Sequence, residues 1–475
     1  MALQGSKEIM VLSPMRFRSK KNYPVAAYFG KDSTSMQIPT FIINLKRRPD
    51  RKADILRSFK DHSQFAVHLV EAVEHEIGAV GLWRSILQIL EDSASGSDEF
   101  IIVCEDDHQF TADYSPQMLQ NAVDKAKELD ADILLGGVSW SNSALPVAEN
   151  IFWVDKFSGL QFTIIFRKFF EVLRSAEFHD FDASDYKIST LTDKKFVIYP
   201  FISTQKGYGY SDVTSVNNRT GRVEELFSAS MGSFQALAGL KEFYARCANG
   251  TSAPKPDFGS ISIPTFVINL PERTERLAHI RRQFQGRMEF ELNIVDACFH
   301  EVGAVGLWMS IRKIVALAKE QDEDLIIICE DDHEFTADYS RDAFLSNILT
   351  AHYKNADYLS GGTGGASYGM MISRGLFWAI RLLSTQFIVV YSKFYDAILS
   401  EPFDESVVAD LKLSEMTSNK MVIYPFISVQ RDFGYSDITA IHNLQPGMVQ
   451  NMFAAASRQL DKIRRTQEAY SERPE

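Results

Sequence analysis

Short apolar runs rich in Val, Ile and Phe alternate along this chain with longer segments of helical period. Residues 40–45, 65–70, 100–103, 132–135, 161–166 and 196–199 have the length and the β-branched and aromatic content of buried strands. The intervening residues 49–60, 80–90, 115–128 and 168–174 read as helices, with Pro49 suited to a first turn and Ser115 to an N-cap. Strands that alternate with helices predict an α/β fold with a mainly parallel sheet covered on both faces.

The pattern then repeats. Ile38-Pro39-Thr40-Phe41-Ile42-Ile43-Asn44-Leu45 returns as Ile263-Pro264-Thr265-Phe266-Val267-Ile268-Asn269-Leu270, an offset of 225. The same offset joins Glu76 to Glu301, residues 104–115 to 329–340, residues 197–203 to 422–428, and residues 209–212 to 434–437. A constant offset over whole blocks means duplication of a complete domain of roughly 180 residues, too long for a solenoid repeat. The expected organisation is a lead-in at 1–37, a first domain at 38–218, a helical segment and linker at 219–262, a second domain at 263–443 and a helical tail at 444–475. The lead-in carries a small basic cluster (Arg16, Arg18, Lys20, Lys21). Those of the tail (Arg458, Lys462, Arg464, Arg465) read as a solvated face.

Composition narrows the class. Hydrophobic residues are 45% and charged residues 24% of 475, ordinary for a globular protein with a large core. A net charge of −12 argues against a nucleic-acid partner. The four cysteines, Cys104, Cys247, Cys298 and Cys329, form no CxxC pair, and Cys104 and Cys329 read as buried thiols of a reducing compartment. No run reaches the roughly 18 apolar residues of a membrane span, so the expectation is a cytoplasmic protein, with room for peripheral membrane contact.

The candidate chemistry sits at Cys104-Glu105-Asp106-Asp107-His108 and Cys329-Glu330-Asp331-Asp332-His333. Each follows a buried strand, and the carboxyl end of such a strand is where α/β proteins bind ligands. Consecutive acids there are costly without a cation. Residues i and i+2 of an extended segment share a side, so Glu105 with Asp107, and Glu330 with Asp332, form pairs of hard oxygen ligands for Mn²⁺ or Mg²⁺. Asp106 and Asp331 would then turn away, towards ribose or backbone. The same acids would also suit a turn capping the next helix. His108 and His333 read equally as metal or phosphate contacts or as plain loop histidines.

The first strand of each unit ends in Asn44 or Asn269 and enters an arginine-rich turn, with Arg48 and Arg51 matching Arg273 and Arg276. Guanidinium groups at a strand-to-helix junction suit phosphate binding. Gly78-Ala79-Val80-Gly81 and Gly303-Ala304-Val305-Gly306 open helices, and either helix packing or ligand approach would account for them. Gly136-Gly137 and Gly361-Gly362 follow a strand and permit close backbone approach. Asp212 and Asp437, in Tyr-Ser-Asp, are late acids placed to complete a metal shell or meet an acceptor. Asp182 and Asp404 are candidate bases for activating a hydroxyl, with helix capping as the alternative.

Taken together, a strand ending Ile-Asn-Leu, an arginine-rich turn, Gly-x-x-Gly and Ile-x-Glu-Asp-Asp resemble glycosyltransferase family 25, which contains lipooligosaccharide and procollagen galactosyltransferases. The resemblance covers both units, 38–218 and 263–443, and is strongest at 41–51 with 102–107 and at 266–276 with 327–332. It implies two tandem GT-A-type domains and inverting transfer of a sugar, often galactose, from a nucleotide-diphosphate donor, UDP-linked, with Mn²⁺. The acceptor implied is a glycan, lipid-linked or protein hydroxyl. Glu105, Asp107, Glu330 and Asp332 match the metal motif, and Asp404 the late acid. The family's Ser-His is Ser85-Ile86 and Ser310-Ile311 here, and Leu82 and Leu307 stand where cysteine is usual, which marks a divergent branch. Two other classes fit the same acids: a metal-dependent nucleotidyl or phosphoryl transferase, and a non-catalytic tandem protein that binds nucleotide or glycan.

Overall fold

The computed structural model describes residues 37–209, 219, 221–247, 258–259, 261–402, 408–434 and 447–471. The lead-in, much of the linker, and Asp212, Asp404 and Asp437 lie outside the described residues.

Each unit holds an eight-stranded sheet. In the first, β1 (Ile38–Asn44), β2 (Phe65–Glu71), β3 (Phe100–Glu105), β4 (Ile133–Leu135), β5 (Ala144–Ala148), β6 (Ile151–Val154), β7 (Phe162–Phe166) and β8 (Lys195–Ile198) are ordered β2-β1-β3-β7-β4-β8-β6-β5. Only β7 and β6 run against the rest, so the sheet is mainly parallel. The second unit repeats the order with β9 (Ile263–Asn269), β10 (Phe290–Asp296), β11 (Leu325–Glu330), β12 (Tyr358–Ser360), β13 (Met370–Ser373), β14 (Leu376–Trp378), β15 (Phe387–Tyr391) and β16 (Lys420–Ile423). The expectation of two tandem Rossmann-like α/β units is borne out.

Helices cover the sheets: α1 (Pro49–Phe59), α2 (Gly78–Ser93), α3 (Pro116–Glu128), α4 (Phe170–Ser175), α5 (Ser184–Leu191) and α6 (Arg222–Cys247) in chain order, then α7 (Thr274–Phe284), α8 (Gly303–Glu320), α9 (Arg341–Tyr353), α10 (Tyr395–Ser400), α11 (Ala409–Met416) and α12 (Met448–Ser471). Pro49 opens α1, and Ser115 Oγ caps α3 by accepting from Met118 N at 3.1 Å. The central strands are buried on both faces; Ile102, Ile133, Ile164 and Val197 are all fully enclosed. At the start of α8, a Cβ on Gly306 would stand 2.6 Å from Cys298 O, so this glycine serves close helix packing. The loop is also clamped by Ser310, whose Oγ accepts from Cys298 N and donates to Gly306 O, each at 2.8 Å.

Arg458 and Arg465 of the tail are exposed, as expected, but Lys462 departs from the solvated face. Lys462 of α12 reaches the first unit, with Nζ 2.5 Å from Asp155 and 2.7 Å from Asp193. Gln459 donates to Ser143 Oγ at 2.9 Å, while Gln467 donates to Met371 O of the second unit at 2.8 Å. The helix is therefore a tie between the units, because its polar positions meet carboxylates on the neighbouring edge. Among the described residues, no helix is long and apolar enough to cross a membrane.

Candidate active site

Parallel pairing of β1 with β3 sets Ile43 opposite Glu105, so Asn44 falls beside Asp106. Asn44 Nδ2 donates to Asp106 Oδ2 at 2.7 Å, and Arg51, in the first turn of α1, donates to Oδ1 at 3.0 Å. The second unit repeats both contacts, Asn269 to Asp331 at 2.9 Å and Arg276 to Asp331 at 3.0 Å. Asp106 and Asp331 thus have an internal donor for each oxygen and form the floor of the site. Arg51 and Arg276 hold that floor, each with an aromatic ring (Tyr208 or Phe433) against its guanidinium at 4.5 and 4.8 Å. Arg48 and Arg273 are half-buried at the start of the helices, and Arg273 lines the second cleft.

The outer acids flank this floor. Asp107 and Asp332 each have Oδ1 buried without a hydrogen-bond partner. Burial first, then the neighbouring Asp331, push Asp332 up to about 7, with Arg276 pulling the other way. Burial and then Asp332 push Glu330 up to about 8, against a donation from Thr385. In the first unit, burial and then Asp106 raise Asp107 to about 7, and burial followed by Asp107 and Asp106 drives Glu105 well above the carboxylate range. An orphaned carboxylate oxygen in a crowded acid pair fits a hard divalent cation, which would supply the missing charge and partner. Glu330 with Asp332 would hold it; Glu105 and Asp107 are the matching pair of the first unit. Among the described residues no group of three or more His, Cys, Asp or Glu that could hold a metal ion is found, and the third ligands expected, Asp212 and Asp437, lie outside them.

The histidines are resolved in favour of packing. His108 and His333 are buried; each shares a hydrogen bond through Nδ1 with Ser203 or Ser428 (2.8 and 2.7 Å). Phenylalanine rings surround them, Phe110 at 4.4 Å and Phe335 at 4.3 Å. Burial holds His108 down at about 3 and His333 well below the usual imidazole value, so both are neutral core groups.

Both acid pairs open onto clefts, of about 770 Å³ in the second unit and about 230 Å³ in the first. The first lies below the range of roughly 300–1,000 Å³ that ordinarily encloses a small-molecule ligand, and the second lies within it. Each cleft is also lined by an acid not singled out in the sequence, Asp410 in the second unit and Asp185 in the first. Asp410 accepts from Ser384 N and Leu411 N, both at 2.7 Å; Asp185 accepts from Gly159 N at 3.0 Å and Ser158 Oγ at 2.5 Å. The two acids obey the 225 offset and precede matched Lys-x-Ser segments, a signal sufficient to find them. Asp182, three residues earlier, accepts from His179 N at 2.9 Å and pairs with Lys187 at 3.3 Å; Asp185 is the acid of this loop that lines the cleft.

No protein-family model matches the chain, and no curated protein sequence matches it. Solved structures give distant likenesses. A UDP-glucose pyrophosphorylase complexed with UDP-glucose is 12% identical over 40% of this chain and 80% of its own, with a TM-score of 0.26. The glycosyltransferase GlyE of Streptococcus pneumoniae is 10% identical over 67% of this chain and 100% of its own, at 0.22. A mannosyltransferase of Pyrobaculum calidifontis, in complex with GDP-Man and Mn²⁺, is 12% identical over 71% and 86%, at 0.23. Likeness at this level assigns this chain neither family nor activity.

Proposed function

We propose that this protein is a metal-dependent glycosyltransferase built from two tandem domains, 38–218 and 263–443, with its working centre in the second. The reaction is inverting transfer of a sugar from a nucleotide-diphosphate donor to a hydroxyl acceptor. The observation that carries this reading is the pair Glu330 and Asp332, with an orphaned Asp332 oxygen, opening onto a cleft of about 770 Å³ that also presents Arg273 and Asp410. The resemblance to glycosyltransferase family 25 supplies the reaction class and the UDP-linked donor.

Glu330 and Asp332 would hold Mn²⁺ or Mg²⁺, which when bound neutralises the departing diphosphate. Asn269, Arg276 and Asp331 keep that acid pair in register with the end of β9. Arg273 presents a guanidinium to the diphosphate oxygens, a pairing whose planar fork suits two oxygens at once. Asp410, fixed by two backbone amides, offers its carboxylate to sugar hydroxyls. Asp404 is the base that the resemblance assigns to the acceptor hydroxyl, which must lie within hydrogen-bond reach for the proton to move.

The test is a panel of nucleotide sugars incubated with the full chain and Mn²⁺, with products separated by mass. Free or transferred sugar with nucleoside diphosphate supports the proposal. Sugar phosphate with nucleoside monophosphate would instead identify a nucleotidyl or phosphoryl transferase.

A further inference from the structure

One difference between the units bears directly on the acid pair. Thr385, a buried residue of the second cleft's lining, donates its hydroxyl to Glu330 Oε1 at 2.7 Å. The 225 offset places Leu160 there in the first unit, and Leu160 lines that smaller cleft, 4% exposed. Among the described residues, no hydrogen bond to the Glu105 carboxylate takes the place of the Thr385 donation. Three features around the acids are duplicated: the Asn–Asp–Arg floor, the orphaned Asp oxygen and the Gln205 or Gln430 partner of the outer acid.

The consequence is geometric. A ligand carboxylate binds a cation well when one oxygen is tied by an outer partner and the other is left towards the ion. Thr385 ties Oε1 of Glu330 in this manner. The isobutyl group of Leu160 has no donor to offer, so the matching position leaves Glu105 without that tie.

We infer that Thr385 is a positioning residue that makes the second cleft competent for a divalent cation, and that Leu160 leaves the first cleft without one. This rests on the metal-dependent reading above and goes beyond it by assigning the difference between the units to one hydroxyl.

Mn²⁺ alone is titrated into the full chain, and free Mn²⁺ is followed by electron paramagnetic resonance, so the readout is independent of turnover. The parent binds one Mn²⁺, lost in Asp332→Asn and kept in Asp107→Asn. Thr385→Val weakens that site about 10- to 100-fold, the usual cost of losing an outer-shell partner, and Thr385→Ser restores it. Leu160→Thr raises the stoichiometry from one to two. Parent-like affinity in Thr385→Val, or loss of the site in Asp107→Asn, overturns the role of Thr385. An unchanged stoichiometry in Leu160→Thr overturns the role of Leu160. Absence of any Mn²⁺ site in the parent overturns the metal-dependent function itself, and this inference with it.

Discussion

Arg276 Nη1 lies 3.0 Å from Asp331 Oδ1, and the two side chains are only 6% and 8% exposed. Arg51 and Asp106 repeat the distance in the first unit. This acid is therefore an anchor, while its neighbour Asp332 carries an oxygen with no partner. Adjacent carboxylates in one turn have opposite roles, and opposite consequences when neutralised.

Asp331→Ala is expected to destabilise the second unit by roughly 3–5 kcal/mol, because it removes the nearest carboxylate from a buried guanidinium and leaves only the more distant Asp332 at 3.7 Å. Asp332→Asn is expected to leave stability unchanged or raise it in metal-free protein, since burial and Asp331 already oppose ionisation there. Denaturant unfolding of both variants near neutral pH, without metal, checks the contrast. Equal losses would show that the two acids play one role.

Arg273→Ala should weaken donor binding by about 1.5–3 kcal/mol, the range for a hydrogen bond to a charged group, which is roughly 10- to 100-fold in affinity. The fold should survive, because Arg273 is half-buried at the cleft wall, in contrast to the enclosed Arg276. Nucleotide titration by calorimetry, alongside a melting curve, separates the two arginines. An Arg273→Ala variant that binds nucleotide like the parent would remove this residue from the phosphate site.

The buried histidines contribute to the acid limb of stability. Both have folded-state pKa values depressed by burial, His108 to about 3. A depressed base is neutral in the folded protein and protonated in the unfolded chain below about pH 6.5. Its contribution is thus present above that pH and is lost as pH falls towards the folded value, by up to about 1.4 kcal/mol per unit for each histidine. His333→Phe should flatten this fall in the second unit when unfolding midpoints are followed from about pH 7 to about pH 4. An identical slope in the variant would place the acid sensitivity elsewhere.

Much of this was legible in the chain itself. Strands such as β3 and β11 are continuous apolar runs because helices cover both faces, and the acids at their ends stood out because the sequence carries them twice. The antiparallel edge was not legible. Pro146 interrupts β5, and β6 ends where Asp155 and Lys156 break an apolar stretch, so neither has the pattern of a central strand. His108 and His333 looked ambiguous because only the fold brings Phe110 and Phe162, or Phe335 and Phe387, around them. Asp410 reads locally as a helix-start acid, and its link to Glu330 depends on chain folding across 80 residues. The exchange of Thr385 for Leu160 is visible in the repeat, yet its meaning requires the 2.7 Å contact to Glu330.

The central claim is that the second cleft does the chemistry. The most direct measurement is Mn²⁺-dependent sugar release or transfer from the preferred nucleotide sugar by the parent, Asp107→Asn and Asp332→Asn at matched folded concentration. The account predicts turnover in the parent and Asp107→Asn, and its loss in Asp332→Asn. Turnover that persists in Asp332→Asn and disappears in Asp107→Asn would contradict it.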